Sequence, residues 1–206
     1  MILDLLQISK ELFSSKFSIN RGNQHIGSVF LSSKICSRGI SIEGDLFGNS
    51  FFMEFGQLDA DIHVFRKYIF GNENGVTGVV YQTKSNDNFL KKYDFIQMIT
   101  SNSVFNYYPI SFGELGGKCP IYFNDRQVAQ VDKDYIVYND IHNYRIYAYN
   151  DFFAKIAVLF AVYSYANSYY KPGIKVKSSY CKYLFKTKNK LLLSKYNSNF
   201  VDNVQL

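Results

Sequence analysis

Polar and apolar positions follow two different periods along this chain. Over residues 17–149, β-branched and aromatic runs (25–31, 51–55, 62–70, 76–81, 104–110, 121–123, 126–131, 134–138 and 144–149) are separated by short clusters of Gly, Asn, Asp and Ser. The clusters are Arg21-Gly22-Asn23, Gly44-Asp45, Gly48-Asn49, 71–75, 85–88, 101–103, Gly116-Gly117, Asn124-Asp125 and Asn139-Asp140. These residue types tolerate positive φ and suit hairpin connections, so the pattern predicts an antiparallel meander of short strands. Segment 89–100 fits helix and strand equally. Residues 152–170 break the pattern: every position from Ile156 to Tyr163 is apolar or aromatic. A helix hydrophobic on all sides has to be enclosed, and a β-rich chain with one such helix predicts a mainly β fold, an antiparallel barrel wrapped around a central hydrophobic helix. At the start of the chain, Ile2, Leu5, Leu6 and Leu12 fit a short amphipathic helix.

One internal echo strengthens the barrel reading. Ile19-x6-Ile26-Gly27-x-Val29 and Ile121-x6-Val128-Ala129-x-Val131 share spacing and character, each with a two-residue turn in its middle, Gly22-Asn23 and Asn124-Asp125. Two such hairpins about 100 residues apart suggest a pseudo-repeated sheet. The hairpin Ile121 to Val131, followed by Asp132-Lys133-Asp134-Tyr135-Ile136-Val137-Tyr138 and then the apolar helix, resembles the tubby C-terminal-like superfamily, which includes tubby domains, phospholipid scramblases, LURP-one-related proteins and small bacterial members. The resemblance spans residues 17–170 and implies a closed barrel of about twelve antiparallel strands around a central helix. In that family the helix lies near the C-terminus, whereas 36 residues follow it here. Neither a basic phosphoinositide cluster nor an acidic calcium segment is matched. The domain reading is therefore a single barrel domain over 1–170, with a basic extension over 171–206.

Charge points to the extension. Of the formal net +6, residues 171–206 hold eight lysines against one acid, a net of +7, while the remainder holds fifteen basic residues against sixteen acids, a net of −1. Lysines on a solvated face are common. Here, however, Ile174 and Val176 alternate with Lys175 and Lys177, a pattern that predicts an exposed strand face. Tyr180, Tyr183 and Phe185 interleave with Lys182 and Lys186, as at a lipid headgroup layer or a single-stranded nucleic acid.

Catalytic signatures are missing. Gly113-Glu114-Leu115-Gly116-Gly117-Lys118-Cys119 is one residue too short for a phosphate-binding loop, and Pro120 forbids the helix that would hold the phosphate; a long hairpin turn is expected. His25, His63 and His142 lie far apart, without metal-ligand spacing, and Asp59-x-Asp61 and Asp132-x-Asp134 do not continue into a calcium loop. Cys36, Cys119 and Cys181 form no C-x-x-C pair and suit a reduced, cytoplasmic compartment. Asp4 inside the first apolar stretch, with no small-residue cleavage site, argues against a secretory leader. The uninterrupted apolar core of 156–163 falls well short of the roughly 20 residues of a membrane span.

These observations converge on a non-enzymatic barrel, without cofactor or metal, that binds an anionic partner through Lys175, Lys177, Lys182, Lys186, Lys188 and Lys190. A phospholipid membrane surface is the first expectation, with peripheral attachment. A nucleic-acid module using the same lysines and tyrosines, and a protein-interaction scaffold with no small ligand, are the alternatives.

Overall fold

The N-terminal segment is a strand, not the short amphipathic helix its leucines suggest. In β1 (Ile2–Lys10) Leu3, Leu5 and Gln7 are buried while Ile2, Asp4 and Leu6 face the other way, the period of two of a half-buried strand. The computed structural model describes residues 1–33, 39–55, 65–85, 92–176 and 179–205. After β1 come β2 (Ser14–Arg21), β3 (Gln24–Ser33), β4 (Ile40–Leu46), β5 (Asn49–Phe55), β6 (Phe65–Asn72), β7 (Gly75–Lys84), β8 (Asp94–Thr100) and β9 (Val104–Tyr107). There follow β10 (Gly117–Phe123), β11 (Arg126–Lys133), β12 (Ile136–Tyr138), β13 (Asn143–Ala148), the helix α1 (Asp151–Ser168), β14 (Tyr180–Lys182), α2 (Lys190–Leu193) and α3 (Phe200–Gln205).

Twelve of these strands close into an antiparallel barrel, in the order β1-β13-β11-β10-β9-β8-β7-β6-β5-β4-β3-β2. β1 is the closing strand, paired with β13 on one side and β2 on the other, and closure leaves no free edge in this sheet. The expected helix is present and runs through the barrel. Ile156, Val158, Leu159, Phe160 and Val162 are all buried. Its N-cap is Asn150, whose Oδ1 accepts the Phe153 N–H at 3.0 Å. Rings on the wall meet rings on the helix along its length, Phe105 with Phe152, Tyr107 with Phe160, Tyr68 with Tyr163 and Phe17 with Tyr165, at centroid separations of 4.9–6.1 Å.

The two echoing hairpins are structurally equivalent, and a third joins them. Ile19 pairs with Gly27 while Asn20 pairs with His25, so Ile26 is bulged; Ile121 pairs with Ala129 while Tyr122 pairs with Gln127, so Val128 is bulged. In the same way Phe70 pairs with Gly78 and Gly71 with Val76, leaving Thr77 bulged. Positions 19, 70 and 121 stand 51 residues apart, and the core valines Val29, Val80 and Val131 keep that period. Each bulge kinks its strand toward the next one. A Cβ on Gly27 would come within 2.3 Å of the Asp45 carbonyl oxygen, and one on Gly78 within 2.3 Å of the Ile99 carbonyl oxygen. The barrel is thus three bulged hairpins and their partner strands, with the third copy hidden in sequence because Thr77 and Phe70 replace the aliphatic residues of the other two.

Several local expectations need correction. Gly44-Asp45 is not a turn: it lies inside β4, where a Cβ on Gly44 would sit 2.5 Å from the Phe51 ring. The turn is Phe47-Gly48, with φ of 52° and 72°. Segment 94–100 is strand β8. β12 leaves the barrel wall and pairs instead with β14 outside it. Residues 174–176 form no strand: they follow directly on the Pro172-Gly173 turn, with Gly173 at φ 81°. Cys36, Asp59, Asp61, His63 and Lys177 lie outside the described residues.

From Pro172-Gly173 the chain runs back over the outside of the barrel. Phe112 and Lys186 form an isolated bridge, and the Thr187 N–H donates to the Ser111 carbonyl at 2.9 Å. Leu192 joins Tyr93, Tyr108 and Ile110 in a small outer cluster, and Phe200 is buried edge-on against Tyr149.

Candidate functional site

The inside of the barrel changes character along its axis. Around the first half of α1 it is apolar, lined by residues such as Leu46, Phe70, Ile156 and Leu159. Around the last turns of α1, inward positions are instead taken by Gln7, Ser15, Lys133, His142 and Tyr144. Period-two geometry places them there: Lys133 continues the inward row Ala129, Val131, and Tyr144 continues the row Ala148, Ile146. Lys133 and Tyr144 are direct cross-strand partners on β11 and β13, so their side chains project side by side.

Part of this polar group is a hydrogen-bonded plug, with His142 Nδ1 left unpartnered. Gln7 Nε2 donates to Ser15 Oγ at 2.8 Å and to Tyr165 Oη at 2.9 Å, and Gln7 Oε1 accepts the His142 N–H at 2.8 Å. His142 is fully buried, with Nε2 3.1 Å from Asp140 Oδ1 and its ring 4.5 Å from that of Tyr169. Burial, reinforced by the nearby Lys133 and Lys10 ammonium groups, holds its pKa down to about 3. Asp140 does not reverse this, because its carboxylate is already paired with Lys10.

Beside the plug is a cavity of about 270 Å³ whose walls include Tyr107, Ile110, Cys119, Lys133, Tyr144 and Tyr183. Lys133 Nζ lies 4.7 Å from the Tyr169 ring centroid and 4.5 Å from that of Tyr183, between the residue that caps the C-terminus of α1 and a tail residue. Burial pushes its pKa down to about 8, while the two ring faces favour the cation. Cys119 is pushed up to about 11 by burial, which leaves a protonated, weakly reactive thiol. The Tyr144 hydroxyl is buried without a hydrogen-bond partner, and burial raises its pKa well above that of a free phenol. Gly117, which pairs with Lys133 from β10, also lines the cavity and adds no side chain to it. No sequence motif announces this group. The signal that could have found it is the phase of Lys133, a lysine at a core position of its strand.

The lysines expected from sequence lie elsewhere. Lys175, Lys182, Lys186, Lys188 and Lys190 are all exposed along the outer segment, and Lys182 Nζ lies 5.9 Å from the Tyr180 ring centroid. Two apolar side chains stand out beside them: Leu115 is 74% and Phe185 72% exposed. Their segments are tied together, as the Gly113 N–H donates to the Phe185 carbonyl at 3.1 Å and Ser111 Oγ donates to it at 2.6 Å.

Among the described residues no group of three or more His, Cys, Asp or Glu side chains could hold a metal ion, and no helix is long and apolar enough to cross a membrane. Comparison with protein-family models, with curated proteins and with solved structures finds no match to this chain.

Proposed function

We propose that the chain is a non-enzymatic, tubby-like barrel that docks peripherally on an anionic phospholipid surface through its C-terminal segment. The observation that carries this reading is the exposure of Leu115 and Phe185 on tethered segments, next to the exposed Lys186 and in a stretch that also holds Lys182 and Lys188. Large apolar side chains flanked by lysines suit a headgroup layer: the rings and methyls enter the acyl boundary while the ammonium groups meet lipid phosphates. Each lysine near an anionic bilayer contributes about 1 kcal/mol, so the exposed set supports useful but salt-sensitive attachment. The closed barrel around α1 supports the tubby-like resemblance at the level of architecture. The lysine segment after the helix is an addition to that architecture.

Sedimentation with vesicles tests the reading. Binding is expected to phosphatidylserine-containing vesicles and not to phosphatidylcholine alone, to weaken with salt, and to drop about tenfold in Leu115→Ser/Phe185→Ser, equivalent to about 1.4 kcal/mol. Retention by single-stranded oligonucleotides instead, lost in Tyr180→Ala, would favour the nucleic-acid reading, and binding to neither would favour a protein scaffold.

A further inference from the structure

The cavity beside Lys133 has the chemistry of a ligand site that the membrane reading does not use. Among the described residues no carboxylate lies within ion-pair distance of Lys133; besides the two tyrosine faces, its Nζ reaches only the Asp134 carbonyl, at 3.4 Å. Directly across the strand pair, the Tyr144 hydroxyl is buried and unpartnered. A buried hydroxyl left without a partner costs about 1–3 kcal/mol, and an inward lysine at the end of a barrel adds a desolvation cost of its own. The repeat shows that the architecture does not demand either. The positions 51 and 102 residues before Lys133 are Gln82 and Leu31, and Leu31 is a fully buried core residue. Only the copy at 121–131 places a cation there, next to a cavity that Gly117 also lines.

We propose that this cavity binds a small organic monocarboxylate with a flat apolar body, its two oxygens held by Lys133 Nζ and Tyr144 Oη. Two donors suit the two oxygens of a carboxylate. A phosphate would bring a second charge past Asp134, the exposed acid at the cavity wall. Tyr144, with its ionisation suppressed by burial, remains a donor. Pro109 and Ile110, on the wall of the same cavity, receive the apolar body of the ligand, while Tyr169 and Tyr183, packed edge to face at 5.4 Å, seat the ammonium. Because Tyr183 belongs to the C-terminal segment, that segment completes the site from outside the barrel.

Titration calorimetry with 2-naphthoate, in the absence of lipid, tests this separately from membrane docking. Saturable binding is expected for 2-naphthoate, at least tenfold weaker binding for the uncharged 2-naphthamide, and at least a tenfold loss in Lys133→Met. Tyr144→Phe keeps the ring and removes only the hydroxyl, and should cost several-fold while the far-ultraviolet spectrum and unfolding midpoint show an intact barrel. Absence of saturation by 2-naphthoate to about 10 mM, where even a millimolar site fills, would overturn the proposal. So would equal affinity for the amide, or affinity unchanged in both variants.

Discussion

The two ends of this barrel are built by different rules. At one end are the three hairpin tips, Gly22-Asn23, Glu73-Asn74 and Asn124-Asp125, with the start of α1 packed among Phe105, Phe123, Phe152 and Phe153. The same bulge recurs there three times and apolar side chains fill the interior. At the other end the repeat fails: β12 leaves the wall, the C-terminal segment covers the gap, and inward positions carry Gln7, Lys133, His142 and Tyr144. The repeated end is explained by packing alone. The irregular end carries buried polar groups that packing does not call for, and that is where a ligand site is expected.

The polar end should therefore dominate the response to acid. His142 has its pKa lowered to about 3, against about 6.5 in an unfolded chain. Between those values the unfolded state binds a proton that the folded state refuses, so stability is full above pH 6.5 and falls as the pH drops toward 3. Moving from pH 7 to 4.5 should remove on the order of 2–3 kcal/mol through this residue. Urea unfolding at the two pH values should show that loss in the wild type and lack it in His142→Gln. An equal loss in both would mean that His142 is not held neutral by the plug.

The hairpin end should respond instead to volume. Gly78→Ala places a methyl within 2.3 Å of a backbone carbonyl of the next strand, a neighbour that cannot rotate away, so a loss of about 2 kcal/mol is expected from overpacking. Ala129, at the equivalent position of the hairpin at 121–131, already carries a methyl. An unchanged urea midpoint in Gly78→Ala would show that the bulged hairpins do not constrain strand spacing as the repeat implies.

What sequence could reveal divides along the same line. The barrel and its helix were legible because turn residues and an all-apolar run leave a signal in any window that contains them. The hairpins at 19–29 and 121–131 were legible because their small residue falls between branched ones. The hairpin at 70–80 was not, since Thr77 breaks the apolar pattern while keeping the geometry. β1 was misread because the adjacent Leu5 and Leu6 suit a helix as well as a strand, and only pairing with β2 and β13 selects the strand. The polar end left almost no trace. Lys133 and Tyr144 meet through the pairing of β11 with β13, and Tyr183 reaches them from the segment just after β14, so nothing in a short window of sequence brings the three together.

The smallest expected effect separates the two ends most sharply, because its sign is opposite to that of an ordinary core substitution. Lys133→Met replaces a desolvated ammonium with an apolar side chain of similar length. The cost of burying the charge, visible in a pKa lowered to about 8, disappears together with the attraction to the faces of Tyr169 and Tyr183, itself worth about 0.5–2 kcal/mol. A net stabilisation of about 1 kcal/mol is expected at pH 7. Its pH dependence identifies the cause. Because the folded pKa lies below the value of about 10.4 for a free lysine, the wild type gains stability as the pH rises from 8 toward 10, and the advantage of Lys133→Met shrinks over that window. Denaturation midpoints at pH 7 and 9.5 measure both quantities. A variant less stable than the wild type at pH 7 would show that Lys133 holds the barrel end together, and a constant advantage across the window would show that the gain comes from packing and not from removing a buried charge.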